Sequence, residues 1–274
     1  MNEEFNPTLA YLYRRWLVRK LLRSDAHGRF LEIGVGSGNL YKELASQGLS
    51  GICVDLNLSL IQGHRSRSKD LKGIVEFRAM DFFQLEDSFD LILAFEVLEH
   101  YVDDRQCLER WWQLLKPHGV LLFSVPAHKR CWTANDSQAG HARRYEKDEL
   151  LNKLTASRFV VDNCWCYGYP ILNWTYPLSG ILFPGKATAH NSEVSAYPAG
   201  QSASVTSNVV IKDYIKTRES GTRNFPRLSK WLLREWLWRP LLLVQQPFLD
   251  RDLGIGYIVK CRKATVDIGK LPVL

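Results

Sequence analysis

Two carboxylates and an imidazole crowd into the run Phe95-Glu-Val-Leu-Glu-His100, and two further histidines follow at His128 and His141. Carboxylate oxygens and imidazole nitrogens are donors that hold an octahedral divalent ion, which fixes a substrate hydroxyl and lowers its pKa. Without a metal, a neutral histidine takes a proton from a hydroxyl or amine directly, because its pKa lies near the working pH. His141 and His128 are the candidate bases, with His100 third. The plain alternative for each is a hydrogen-bonded loop residue. Arg143, Arg144 and Tyr145 come next in the chain. A guanidinium grips a carboxylate or phosphate in bidentate fashion, so this group is the candidate acceptor contact, with surface charge at a helix start as the alternative.

Such chemistry needs a bound reactant, and the run Phe30 to Leu40 offers a place for one. A short apolar strand enters three alternating glycines, Gly34, Gly36 and Gly38, and then a helical pattern. Without a Cβ the backbone turns sharply and a ligand approaches closely. The glycines do not follow the dinucleotide spacing with an acid further on, so phosphate cradling is not favoured. Glu32, at the strand's end, is placed to meet an amine. The next strand ends in Asp55, followed by Leu56, where a carboxylate can accept both hydroxyls of a ribose. A third run ends in Asp81, suited to an adenine amino group, with Phe82 beside it for ring packing.

These motifs resemble, in order and spacing, the class I S-adenosylmethionine-dependent methyltransferases, over roughly residues 28 to 167. The resemblance implies a Rossmann-like α/β fold with a seven-stranded, mostly parallel sheet. It also implies S-adenosylmethionine contacts at Glu32, Gly34, Gly36, Gly38, Asp55, Leu56, Asp81, Phe82 and Glu96. The E-x-x-E-H turn with a later histidine is similar to ubiquinone-pathway O-methyltransferases and to small-RNA 3′-end 2′-O-methyltransferases. Carried over, Glu96, Glu99, His100 and His141 would hold magnesium or manganese. The same turn also occurs in superfamily members with no metal, where its first residues line the methionine end of the cofactor. Val125 to Leu150 looks like a common bacterial branch, which names no substrate.

The elements that must position these groups alternate. Strand patterns fall near 29–33, 51–55, 74–79, 89–94 and 119–125, with helical runs at 38–47, 57–69, 103–116 and 147–156. Alternation implies a parallel sheet with helices on both faces and ligands at the carboxyl ends of its strands. Phe159 to Tyr167 and Gly256 to Cys261 would be the last two strands, an antiparallel pair after the fifth, joined by a long insertion. The expected organisation is an amphipathic N-terminal helix within 1–27, a cofactor-binding core at 28–167, an insertion at 168–255, and a final strand and tail at 256–274. The helix, Pro7 to Arg23, sets Leu9, Tyr13, Trp16, Leu17 and Leu21 on one side and Arg15, Arg19 and Arg23 on another, a solvated face or a contact with an anionic surface.

The insertion opens with an uncharged stretch, Gly168 to Gly185, whose prolines at 170, 177 and 184 break any long helix, which suits a substrate lid. Asn191 to Asn208 reads as a mobile loop. Pro226 to Val244 reads as a helix broken at Pro240, mixing Trp231, Trp236 and Trp238 with Arg227, Lys230, Arg234 and Arg239. That mixture suits a membrane interface, or a helix packed on the main domain.

The 274 residues are 46% hydrophobic and 24% charged, which is globular rather than disordered, with no signal peptide or convincing span. A cytoplasmic protein is expected, with peripheral contact at the inner face of the membrane as the further option. Six scattered cysteines without a C-x-x-C spacing argue for reduced core thiols rather than a disulfide or zinc framework. A net charge of +7 favours anionic partners. The leading expectation is methyl transfer to an oxygen, less favourably a nitrogen, of a small or lipid-linked acceptor. An RNA methyltransferase is the alternative, although no RNA-binding module or aromatic platform is present. A cofactor-binding scaffold without transfer activity is the other. The sequence leaves the acceptor and the oligomeric state open.

Overall fold

A computed structural model describes residues 9–22, 26–36, 38–174 and 235–264. The sheet has seven strands in the order β3-β2-β1-β4-β5-β7-β6. They are β1 (Arg29–Ile33), β2 (Ser50–Asp55), β3 (Val75–Ala79), β4 (Phe89–Phe95), β5 (Leu115–Pro126), β6 (Phe159–Tyr167) and β7 (Gly256–Lys263). β1 to β5 are parallel neighbours, while β7 lies between β5 and β6 and is antiparallel to both. The helices are α1 (Leu9–Leu21), α2 (Leu40–Ser46), α3 (Leu58–Arg67), α4 (Asp104–Leu114), α5 (Ala134–Gln138), α6 (Lys147–Ala156) and α7 (Glu235–Val244).

The central strands β1 and β4 are buried over nearly their whole length, as a parallel strand covered on both faces must be. Side chains alternate across the sheet, so they feed two apolar clusters. One holds Phe82, Trp111, Phe123 and Tyr145; the other holds Tyr13, Leu17, Phe30, Tyr41 and Ile258. α1 closes the second cluster with Leu12, Tyr13, Leu17, Val18 and Leu21. Its Tyr13 hydroxyl donates to the Leu241 carbonyl of α7 at 3.1 Å. Arg15 and Arg19 of its basic face both pair with Glu43 of α2, so that face is engaged within the fold; Arg23 lies outside the described residues.

Two boundaries differ from the sequence reading. β5 begins at Leu115 rather than 119, because Leu115 pairs with Phe89 across a register shift before regular pairing resumes at Leu91↔Val120. α7 runs through Pro240 instead of breaking there. β6 ends at Tyr167 and β7 starts at Gly256, and the chain between them is described only at 168–174 and 235–255. The lid, the mobile loop and the reading of Arg227, Lys230, Trp231 and Arg234 therefore lie mostly or wholly outside the described residues. Among the described residues no helix is long and apolar enough to cross a membrane.

Candidate active site

The carboxyl ends of β1, β2 and β3 carry the first half of the site. Gly34 and Gly36 have φ of 70° and 51°, a left-handed conformation that side chains with a Cβ resist. A Cβ on Gly34 would also meet Val97 Cγ2 at 2.8 Å. The turn is clamped from below: the Gly36 amide donates to Asp55 Oδ2 at 3.1 Å, and its carbonyl faces His64 Nε2 at 2.8 Å. A carbonyl only accepts, so His64 Nε2 carries the proton. The other nitrogen of His64 then accepts from the Tyr41 hydroxyl at 3.0 Å, and burial lowers the histidine's pKa, keeping it neutral.

Glu32 is 5% exposed, and burial pushes its carboxyl up to about 8 despite a backbone hydrogen bond from Tyr41 and the Cys53 thiol 3.8 Å away. It is therefore largely protonated at neutral pH and would ionise if a cationic amine arrived. Asp55 accepts from the Asn57 amide through Oδ1 at 2.9 Å, so each of its oxygens holds one amide and keeps a lone pair for a further donor. Leu56 beside it is half-buried. Asp81 accepts from the Phe83 amide at 3.1 Å, with burial raising its pKa. Phe82 is turned inward at 2% exposure, against Tyr101 and Trp111, which corrects its expected role over a ligand ring. The more exposed Phe83 stacks on it with centroids 4.5 Å apart.

The second half lies beyond β4 and β5. Glu96 has a φ of 55° and is tied to β5 twice, by its amide to the Ser124 carbonyl at 3.0 Å and by its carboxylate to the Ser124 hydroxyl at 2.7 Å. Burial alone would raise its pKa, but the Arg14 guanidinium at 3.0 Å and Ser124 together lower it. Tyr167 of β6 reaches the same carboxylate at 3.5 Å. Arg14 thus joins α1 to the site.

Glu99, His100 and His141 do come together, with one ligand atom from each lying within 4.8 Å of the others. Glu99 is fully buried, 4.0 Å from His100 Nε2 and 3.8 Å from His141 Nε2. The two rings stand edge to face, 4.9 Å apart. His100 Nδ1 donates to the Gly140 carbonyl at 3.2 Å, and His141 Nδ1 lies 2.9 Å from Asp136 Oδ1. With both Nδ1 atoms turned to these partners, both Nε2 atoms face Glu99. Glu96 is not part of this group, because Arg14 and Ser124 take its carboxylate; the expected set of four ligands is reduced to three.

Asp136, at 1% exposure, is the residue that organises this half. Besides His141 it accepts from Arg144 Nε and Nη2 at 2.9 and 3.0 Å and from the Thr133 amide at 2.7 Å. Burial opposes ionisation, yet these donors hold its carboxyl well below the usual range. Arg144 is consequently buried, donating also to the Ala127 carbonyl at 3.0 Å. Tyr145 is fully buried with its hydroxyl on Asp104 at 3.0 Å. Both are corrected from acceptor contacts to framework. Arg143 stays partly exposed while bonded to Asp104 and the Val102 carbonyl. His128 is buried between Glu146 and Asp252, in contact with β6 through Cys166, and does not join His100 and His141.

Residues 31–123 match the family described as methyltransferase domain. A ubiquinone biosynthesis O-methyltransferase of Azorhizobium caulinodans is 34% identical over 133 residues, 44% of this chain and 51% of that protein. The enzyme of the same name from Histophilus somni is 29% identical over 130 residues, 44% and 52% respectively. The chain thus matches about half the length of these curated relatives. Among solved structures the cyclase SpnF superposes with a TM-score of 0.53 at 16% identity, covering 96% of this chain and 85% of that one, a likeness of fold alone.

Proposed function

We propose that this chain, a member of the class I S-adenosylmethionine-dependent methyltransferase superfamily, moves a methyl group to an oxygen of a small or lipid-linked acceptor, with nitrogen the second choice of atom. The observation that carries the reading is His141, whose Nδ1 is fixed on buried Asp136 and whose Nε2 faces the interior of the site beside Glu99.

When bound, S-adenosylmethionine supplies a methyl already made electrophilic by its sulfonium. The chain has to hold the two reactants in line, which supplies much of the rate. The glycine turn gives room for close approach, Asp55 receives the ribose hydroxyls, and Asp81 receives the adenine amino group. Glu32 meets the amine and gives up its proton in doing so. His141 Nε2 takes the proton of the acceptor hydroxyl as the oxygen attacks, and Asp136 stabilises the imidazolium that results. Glu96, held by Arg14 and Ser124, lines the methionine end.

As an alternative to His141 acting as the base, Glu99, His100 and His141 fit a magnesium or manganese ion by donor type and spacing, and such an ion would occupy the same Nε2 lone pair. Such an ion would supply Lewis acidity toward a substrate hydroxyl. Names among the relatives place O-methylation in ubiquinone biosynthesis, which together with the charge of +7 supports a lipid-linked acceptor met at an anionic membrane surface from the cytoplasmic side.

The test is transfer of labelled methyl from S-adenosylmethionine to a panel of vicinal diols, phenols and amines, each with and without a prenyl chain, in the presence of magnesium or a chelator. Transfer to a hydroxyl that collapses in His141→Ala supports the reading. Transfer undiminished in that variant would overturn the role of His141, and transfer to amines alone would overturn the choice of atom.

A further inference from the structure

A second group of chemically capable side chains lies apart from His141. His128 leaves β5, Cys166 ends β6 and Asp252 precedes β7, and one ligand atom from each lies within 4.8 Å of the others. His128 Nε2 is 3.9 Å from Cys166 Sγ and 3.6 Å from Asp252 Oδ1. Around a tetrahedral zinc ion the nitrogen–sulfur and nitrogen–oxygen edges are about 3.5 and about 3.3 Å, given its usual bond lengths. The observed spacing needs to contract by only a few tenths of an ångström.

Hydrogen bonds around the three residues orient them as candidate metal ligands. Glu146 Oε2 faces His128 Nδ1 at 3.4 Å, a carboxylate on the far ring nitrogen that leaves Nε2 as the donor. The Gly254 amide donates to Cys166 Sγ at 3.0 Å, a contact that favours the thiolate against the burial that pushes this thiol up to about 12. Tyr257 donates to Asp252 Oδ1 at 2.7 Å and orients that carboxylate. His128 and Cys166 are buried, at 4% and 1% exposure, while the half-exposed Asp252 opens the site to solvent.

We propose that His128, Cys166 and Asp252 bind a zinc-class transition metal ion, with the fourth position open to solvent. The thiolate selects a borderline or soft ion, in contrast to the harder set at Glu99. Binding replaces the thiol proton of Cys166, which passes to solvent. The ion would fasten the exit of β6 to the entry of β7, the two ends of the chain stretch 168–255. That junction already carries hydrogen bonds from the Cys166 amide to the Leu249 carbonyl at 2.8 Å and from the Gly168 amide to Gln245 at 3.1 Å.

The test is titration of the full chain, prepared without metal, with cobalt(II) and then zinc. One equivalent of cobalt should give thiolate-to-metal charge-transfer absorption that zinc abolishes, and zinc should raise the melting temperature. Cys166→Ser and His128→Gln should lose the absorption, and His141→Ala should keep it. Asp252→Asn, at the exposed position least able to disturb folding, should weaken zinc binding at least about tenfold. Absence of the absorption from the unaltered chain, its persistence in Cys166→Ser, or unchanged zinc affinity in Asp252→Asn would overturn the proposal.

Discussion

The two halves of the site are built by different means. At the ends of β1 to β3 two of the acids are held by amides two residues on, Asp55 by Asn57 and Asp81 by Phe83, and the glycine turn is held by Asp55 at the end of the adjacent strand. Beyond β4 and β5 Glu96 is held at long range by Arg14 and Ser124 and His100 by Gly140, while Asp136 gathers His141 and Arg144 from the loop that follows its own helix. A short-range site needs only correct strand ends, whereas a long-range one depends on several loops meeting. The first should be robust to changes in the second.

A change at Gly36 tests the cofactor half of this division. Gly36→Val places a β-branched residue at a φ of 51° and is expected to weaken S-adenosylhomocysteine binding by at least about 100-fold, ~3 kcal/mol. Tight binding by this variant would remove the cofactor assignment. His141→Ala should lower methyl transfer by about 100- to 10 000-fold, the usual range for a lost general base, with cofactor affinity unchanged by calorimetry.

Asp136→Asn strips a buried charge partner from Arg144, so denaturant unfolding should show a loss of about 3 kcal/mol. Removing Arg143, whose guanidinium is partly solvated, should cost less than about 1 kcal/mol. A cost for Arg143→Ala as large as that for Asp136→Asn would erase the distinction between buried framework and rim.

Protonation sharpens the comparison. The Glu32 carboxyl is raised from its usual 4.5 to about 8, so its contribution to stability is fully present below about pH 4.5 and is lost as pH rises through 8. The unliganded protein should therefore lose stability over that window, and Glu32→Gln should flatten the loss in urea titrations at several pH values. His64 has the opposite sign. Its pKa is lowered by burial, so its contribution is present above about pH 6.5 and is lost as pH falls through the folded value.

The sheet and the strand-end positions of Glu32, Asp55, Asp81 and the glycine turn were legible because hydrophobic runs, strand-end acids and glycine-rich turns are local signals. The strands read from sequence match to within a residue or so, except at the start of β5, where a pairing irregularity extends the strand backward. The second half was legible only as an inventory. Glu99, His100 and His141 do lie together, whereas Glu96, carried over with them from the resemblance, sits apart because the chain takes a positive φ there and then a single 3₁₀ turn.

Asp136 was overlooked, although Thr133 three residues before it marks the helix start it caps. No local pattern says that the same carboxylate will reach His141 and Arg144. His64 and Arg14 were overlooked for a similar reason, since both act across the fold on residues far away in the chain. Arg144 and Tyr145 were misread as acceptor contacts because sequence gives charge and polarity but not burial.

The most direct measurement is calorimetric titration of S-adenosylhomocysteine into the unaltered chain and His141→Ala, at pH 7 in two buffers of different ionisation enthalpy. The account predicts micromolar binding with equal affinity in both proteins, and a heat that depends on the buffer because Glu32 releases its proton. Absence of binding to the unaltered chain, or loss of binding in His141→Ala, would contradict it.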